Sequence, residues 1–331
     1  MRKKWIRGGI FLCLVLLLLN NLNRILCVKS PHGVDQTRYL YVQPKNKIDV
    51  LFLGSSHVHC NVNTQLLWDE YGMAAYLMTG AEQPLWNSYY NLKEALKTQK
   101  PKLVVLDMFC PSRFYDDFQP GWADENLDGM RISLNKLEAV YTSVQEEQSH
   151  FFLGFTEYHS RYDQLTTEDF QNFVWNRKTQ ERWKGYTPLN RHAELTEPDM
   201  SHVTTSQEMT EKSKEYFEKI VELTKKEGIT LALISGPYLL EERDQEVYNS
   251  IGQLAEKDGL LFWNTNTPAH YREMGLDFST DYADHAHLNE AGGAKYTAYL
   301  GKWLSQNYSF PDRRGQKGYE SWENQLVKSG E

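Results

Sequence analysis

Two short segments more than two hundred residues apart hold side chains from which catalysis can be built. In KIDVLFLGSSHVH, Lys47 to His59, an apolar run ends in Gly54-Ser55-Ser56 and leaves Ser56 in the turn that follows. In DYADHAHLNEAGGAKY, Asp281 to Tyr296, Asp284 and His287 stand three residues apart just before a helical run. A serine hydroxyl is a poor nucleophile until an imidazole removes its proton. The imidazole in turn needs a carboxylate on its other nitrogen to fix the tautomer and support the imidazolium. The same segments permit a second chemistry. His57-Val58-His59 and His285-Ala286-His287 form two His-x-His pairs, which with a carboxylate such as Asp284 are ordinary Zn²⁺ donors for metal-dependent hydrolysis. Both pairs fall in turns, where the alternation of a strand does not fix which way they face.

The elements that must position these residues alternate along the chain. Strands are expected at 48–53, 74–78, 103–109, 229–234 and 260–263. Helices are expected at about 61–71, 86–98, 206–226, 244–257 and 290–306. Such alternation implies a parallel sheet covered by helices on both faces. Ligands then bind beyond the carboxyl ends of the strands, the edge on which Ser56 lies. Backbone N–H groups of the helix that starts there would point at an anion formed beside the serine. Between about 110 and 203 the pattern breaks into a stretch rich in Tyr, Trp, Phe, Asp and Arg, read as an insertion over the active edge. The polar stretch 308–331 reads as a loosely held tail.

Gly54-Ser55-Ser56 and Asp284-His285-Ala286-His287 resemble the first and last blocks of the SGNH, or GDSL-type, hydrolases, with Ser55 where that family has Asp. The resemblance spans most of residues 47–307. It implies a flavodoxin-like three-layer α/β sandwich of SGNH type, Ser56 as nucleophile, His287 as base and Asp284 as the residue that orients it. Asp281 and His285 do not fit the family spacing. The resemblance also implies two oxyanion donors besides the Ser56 N–H. Gly80 in LMTGAEQPLW fits one, although a plain turn glycine is its other reading. The second, an asparagine after the third strand, is absent from LVVLDMFCPSRF, where Asp107 would repel an oxyanion.

That departure resembles the membrane-anchored branch of the superfamily that acts in teichoic-acid D-alanylation and glycan O-acetylation. A replacement for the missing donor is sought in FTEYHSRYDQL, with His159 and Arg161 as candidates for binding an oxyanion or a substrate acid group. The resemblance implies an esterase or O-acyltransferase acting on acyl esters of cell-surface glycan, with an acylated glycan or cell-wall polymer as substrate and no cofactor. A non-catalytic assembly module beside a membrane acyltransferase is the alternative from a different class.

Composition narrows the partners. The 331 residues are 40% hydrophobic and carry a net charge of −8 with no long basic run, which argues against nucleic acid. At the N-terminus MRKKWIR precedes twelve uncharged residues, Gly8 to Leu19, extended toward Leu26 through Asn20, Asn21, Asn23 and Arg24. No small-x-small cleavage site follows, so residues 1–27 read as an uncleaved membrane anchor and 28–46 as a linker. The basic flank then stays in the cytoplasm and the catalytic domain lies outside. Acetyl-coenzyme A is not available there, so a transferase would need its acyl group delivered by another protein, a multi-pass membrane acyltransferase. Of the four cysteines, Cys13 and Cys27 belong to the anchor, and Cys60 and Cys110 read as buried free thiols in preference to a disulfide.

Overall fold

The computed structural model describes residues 2–27, 32–114, 120–152, 158–171 and 183–323. Five apolar segments form strands: β1 Val50–Gly54, β2 Ala75–Thr79, β3 Leu103–Asp107, β4 Thr230–Ser235 and β5 Leu261–Asn264. They make one sheet in the order β2-β1-β3-β4-β5, and every pairing is parallel. Successive side chains enter opposite layers. Leu51, Leu53, Val104 and Leu106 join one core, while Val50, Phe52, Leu103 and Val105 join the other. Burial on both faces is why β1, β2 and β3 read as unbroken apolar runs, while β5 at the edge is only partly buried.

The helices, in chain order, are α1 Arg2–Leu26, α2 Val34–Leu40, α3 Ser56–His59, α4 Thr64–Tyr71, α5 Leu85–Leu96, α6 Phe109–Arg113, α7 Ala123–Leu127, α8 Leu134–Ser143, α9 Thr167–Gln171, α10 Glu211–Glu227, α11 Glu242–Asp258, α12 Pro268–Met274, α13 Glu290–Asn307 and α14 Glu320–Glu323. The first core is closed by apolar residues of α5, α8, α10 and α11, and the second by α4, α12 and α13. The result is a three-layer α/β sandwich with the flavodoxin-like strand order. Its order reverses between β1 and β3, where such sheets bind ligands.

α1 is a single helix, long and apolar enough by length and composition to cross a membrane. Its Ile10, Phe11, Leu14 and Leu18 are exposed, and burial begins only at its foot with Leu26 and Cys27. The helix expected at about 61–71 is α4, which starts at Thr64 because Asn63 caps it through the Leu66 N–H, and the short α3 before it is an additional turn. All four cysteines are free, and Cys60 and Cys110 are buried. As far as Gln171 the described part of the insertion is built from short helices, and 183–203 is mostly irregular. Parts of the expected linker (28–31), insertion (115–119, 153–157, 172–182) and tail (324–331) lie outside the described residues.

Through Glu323 the C-terminal segment is not loose. Trp322 is fully buried and its indole N–H donates to the Ala75 carbonyl of β2 at 3.1 Å. Arg313 holds Asp49 with two hydrogen bonds of 2.7 and 2.9 Å. Polar composition concealed this because one tryptophan and one bidentate arginine do the docking. Two other segments reach the same edge strand: the Gly33 N–H donates to the Thr79 carbonyl and the Leu77 N–H to the Lys184 carbonyl, both at 3.0 Å. Trp322→Ala should therefore destabilise the fold by about 3–5 kcal/mol. Urea unfolding followed by circular dichroism measures this, and a loss under about 1 kcal/mol would mean that the tail is dispensable.

Candidate active site

The site begins with the turn after β1. Gly54 adopts φ +147°, and a Cβ there would lie 2.4 Å from the Asp107 Cβ, so only glycine fits between β1 and β3. Ser55 follows as the N-cap of α3. Its hydroxyl accepts from the His57 N–H at 3.2 Å and donates to Asp107 Oδ2 at 2.9 Å. Asp107 also accepts from the backbone N–H groups of Ser55 (3.4 Å) and Phe109 (3.3 Å). Burial pushes this carboxyl up to about 6, against the opposing pull of those hydrogen bonds. Asp107 is therefore turned toward the scaffold of the turn. With Ser55 consumed in this way, Ser56 is left as the half-exposed hydroxyl.

Ser56 Oγ lies 2.7 Å from His287 Nε2, and His287 Nδ1 lies 2.8 Å from Asp284 Oδ1. Three residues predicted from two distant segments thus stand in one hydrogen-bonded line. Asp284 Oδ1 also accepts the N–H groups of Ala286 and His287, each at 3.0 Å. Burial opposes ionisation of Asp284, but His287 and these donors outweigh it and hold the carboxyl below its usual range. Arg191 Nη2 approaches Asp284 Oδ2 at 3.0 Å from an exposed position. Sequence reasoning missed Arg191, since nothing in NRHAEL marks it.

Two groups of contacts fix the His287 loop. The Leu288 N–H donates to Asn61 Oδ1 at 3.1 Å, and the Thr297 hydroxyl donates to the Asn61 carbonyl at 3.0 Å, which ties the loop and α13 to the chain just beyond α3. Residues 187–195, within the expected insertion, run beside the same loop and α3, with the Ala193 N–H on the Tyr282 carbonyl and the Thr187 N–H on the His59 carbonyl.

The expected oxyanion donors fare differently. The Ser56 N–H, at the first position of α3, has no acceptor among the described residues, as befits a helix start. The Gly80 N–H is committed to the Gly54 carbonyl at 3.3 Å, so Gly80 does not present a free donor here. Gly80 is needed for another reason: a Cβ on it would come within 2.2 Å of Asn126 Oδ1. Asn126 comes from the insertion and braces this turn, its Nδ2 donating to the carbonyls of Ala81 and Trp122 at 3.0 and 2.9 Å.

Arg161 is directed elsewhere. Its contacts are the Leu26 carbonyl at the foot of α1 and Asp169 at 3.3 Å, and none is with Ser56, Asp284 or His287. His159 is exposed on the same short 3₁₀ turn, His159–Asp163. The composition of that motif gave no information about direction, which depends on the anchor.

Nor do the His-x-His pairs converge. His287 has both nitrogens engaged, and His285 is exposed. His59 stacks on His32 with centroids 4.0 Å apart and meets Thr79 Oγ1 at 3.2 Å. His57 is buried against Phe109, its ring centroid 3.5 Å away and 5.5 Å from that of His287. Burial, then the neighbouring His287, Arg113 and His285, hold His57 well below the usual histidine range, so it is a neutral wall beside the base. Among the described residues no three His, Cys, Asp or Glu side chains are placed to hold a metal ion.

No protein-family model and no curated protein matches this chain in sequence. Among solved structures, it is similar to a Bacteroides fragilis NCTC 9343 chain named "putative acylhydrolase", at 12% identity and a TM-score of 0.40 over 82% of this chain and 94% of the other. A likeness that shallow does not bear on the chemistry.

Two outcomes test the turn. Unfolded, the Asp107 carboxyl titrates near 3.8, and folded near about 6, so between these values the folded state holds a proton the unfolded state has released. Stability from this group is therefore highest at low pH and falls as pH rises through that window. Asp107→Asn removes the dependence, so the Tm of the variant minus that of the parent should increase from pH 4 to pH 7 in calorimetry. A flat or decreasing difference would show that Asp107 is not raised. Gly80→Ala should lower Tm by several degrees, with partial recovery in Gly80→Ala/Asn126→Ser, which removes the clashing atoms; equal Tm for parent and Gly80→Ala would show that the turn yields freely.

Proposed function

We propose that this chain is a serine esterase or O-acyltransferase, and the observation that carries the reading is the unbroken line from Ser56 Oγ through His287 to Asp284, at 2.7 and 2.8 Å. In this reading His287 Nε2 takes the proton as Ser56 Oγ attacks the carbonyl carbon of an ester. Asp284, kept ionised, fixes the tautomer that leaves Nε2 unprotonated and supports the imidazolium that forms. The Ser56 N–H at the start of α3 receives the tetrahedral oxyanion. When the oxyanion collapses, the alkoxide leaves with the proton from His287, and Ser56 carries the acyl group. Water, or a sugar hydroxyl, then gives its proton to His287 and attacks the acyl-enzyme, which returns Ser56 and releases an acid or a new ester.

The finer reading is an enzyme anchored by α1, with its body outside the cell, acting on acyl, chiefly acetyl, esters of cell-surface glycan. Its support is the basic first turns of α1, Arg2 to Arg7, the resemblance of the two sequence blocks, and the half-exposed Ser56 and His287 at the sheet edge. The transferase version takes a multi-pass membrane acyltransferase as acyl donor.

Nitrophenyl acetate hydrolysis by the full-length chain in detergent tests the chemistry. Ser56→Ala, His287→Ala and Asp284→Ala should each reduce kcat/KM, with Ser56→Ala losing at least about a thousandfold and the double variants little more than the worse single one, because members of such a unit do not add. Ser55→Ala should keep most of its kcat but lose about 1 kcal/mol of stability, the cost of an N-cap. Full activity in Ser56→Ala would rule out the serine mechanism.

A further inference from the structure

Helix α8 reverses the usual arrangement of a surface helix. It buries Asn135, Lys136 and Ser143 along with Ala139 and Val140, and it exposes Leu134, Leu137 and Tyr141, whose spacing puts them on one face. The buried polar groups are paired inside the body. The Asn135 amide donates to the Tyr90 carbonyl at 3.0 Å and to Glu94 Oε2 at 2.9 Å, and the Ser143 hydroxyl meets Asn87 Oδ1 at 2.5 Å. On the outside, Leu134 is 77% exposed, and Ile132, just ahead of the helix, is 74% exposed. Glu138, at the side of this stripe, is paired with Lys93 at 2.8 Å. An apolar face left open in this way marks a contact surface.

Its position says what covers it. The apolar run of α1 ends at Leu19, and Asn20, Asn23 and Arg24 beyond it line one cavity together with Ile132 and Lys136. The stripe thus starts at the height where α1 leaves the hydrocarbon, and α8, with ten residues and a length of about 15 Å, stays near it. The joint is also fixed. Leu26 and Cys27 are buried in the body, and the Arg161 guanidinium holds the Leu26 carbonyl. Tyr162, next to Arg161, is exposed, an aromatic ring with a polar tip of the kind enriched at headgroup level.

We propose that the stripe of Ile132, Leu134, Leu137 and Tyr141 lies in the outer leaflet, so that α8 is a second membrane contact beside the spanning α1. Its occupant is the lipid interface itself. The apolar side chains enter the boundary between headgroups and acyl chains, about 5–10 Å deep for a helix of this kind, and the Tyr141 hydroxyl stays among the headgroups. The proposal rests on α1 spanning the membrane. Its consequence concerns the reaction. Cys27 and His32 are five residues apart, at most about 18 Å, and His32 stacks on His59 of α3, the helix that begins at Ser56. Held by two contacts, the body keeps Ser56 close to the membrane at a set tilt instead of swinging about one tether.

The test uses the full-length chain in phosphatidylcholine nanodiscs. In a Cys13→Ser background the remaining cysteines are buried, so a spin label can be directed to Leu134→Cys, Leu137→Cys, Leu14→Cys in α1 or Leu261→Cys on the edge strand β5. Each variant should keep nitrophenyl acetate hydrolysis, which shows that it folds. Relaxation of the label by oxygen, which concentrates in lipid, is compared with relaxation by a water-soluble nickel chelate. Labels at 134 and 137 should respond more to oxygen, as the label at 14 does, and the label at 261 more to nickel. Adding Leu134→Glu and Leu137→Glu should shift a label on Tyr141→Cys from oxygen toward nickel, and no shift would show that the stripe does not hold α8 at the leaflet. Nickel preference at 134 and 137 with oxygen preference at 14 would overturn the docking of α8 and leave the anchor in place, whereas nickel preference at 14 as well would remove the anchor on which it rests. Protection of 134 and 137 from both reagents would reassign the stripe to a protein contact, and dipolar broadening between labels would identify that contact as a second copy of the chain.

Discussion

The site depends on a buried carboxylate between two strands. Asp107, at the end of β3, gathers the Ser55 hydroxyl and two backbone N–H groups at the end of β1. It can do so only because Gly54 leaves room at a backbone angle that side chains avoid. With Ser55 turned inward, Ser56 becomes the first residue of α3 and its hydroxyl faces the edge where the strand order reverses. The acid beside a developing oxyanion looks wrong when it is read from sequence alone. In the structure its hydrogen bonds run to the turn that presents the nucleophile, and burial favours its neutral form.

The other half of the constellation is held by a different kind of interaction. His287 belongs to a loop closed on itself by Asp284 and registered to the nucleophile by Asn61, five residues beyond Ser56. The same asparagine receives Thr297 from α13. The two distant segments are thus joined by hydrogen bonds from one short stretch of chain, and the separation between Ser56 and His287 follows from the geometry of Asn61 as much as from either residue.

Much of this was legible because it is periodic or local. Unbroken apolar runs placed all five strands to within about two residues, and caps such as Asn63, Thr210 and Asn289 show why the helices begin where they do. The spacing of Asp284 and His287 and the turn after β1 led to the residues that stand together. The remainder turns on contacts far apart in sequence, which no window detects. Arg161 was expected to face a substrate and instead meets the carbonyl of Leu26, because its partner is α1. Gly80 was expected to offer its N–H, but the Gly54 carbonyl takes it, and Asn126, from a stretch without pattern, fills the space beside it. The docked tail was concealed for the same reason, since Trp322 and Arg313 work singly.

β2 is an edge strand, and an open edge offers unpaired backbone groups to any other extended chain. Here its outward groups are met one at a time: by Gly33 from the stretch after the anchor, by Lys184 from the insertion and by the indole of Trp322 from the tail. Three unrelated segments together act as a discontinuous sixth strand, although Gly33 and Lys184 lie in turns and Trp322 in a helix. A regular strand would protect the edge independently of the rest of the chain. This patchwork makes protection conditional on the anchor link, the insertion and the tail all being in place, so during synthesis the β2 edge stays open to intermolecular pairing until Trp322 has emerged.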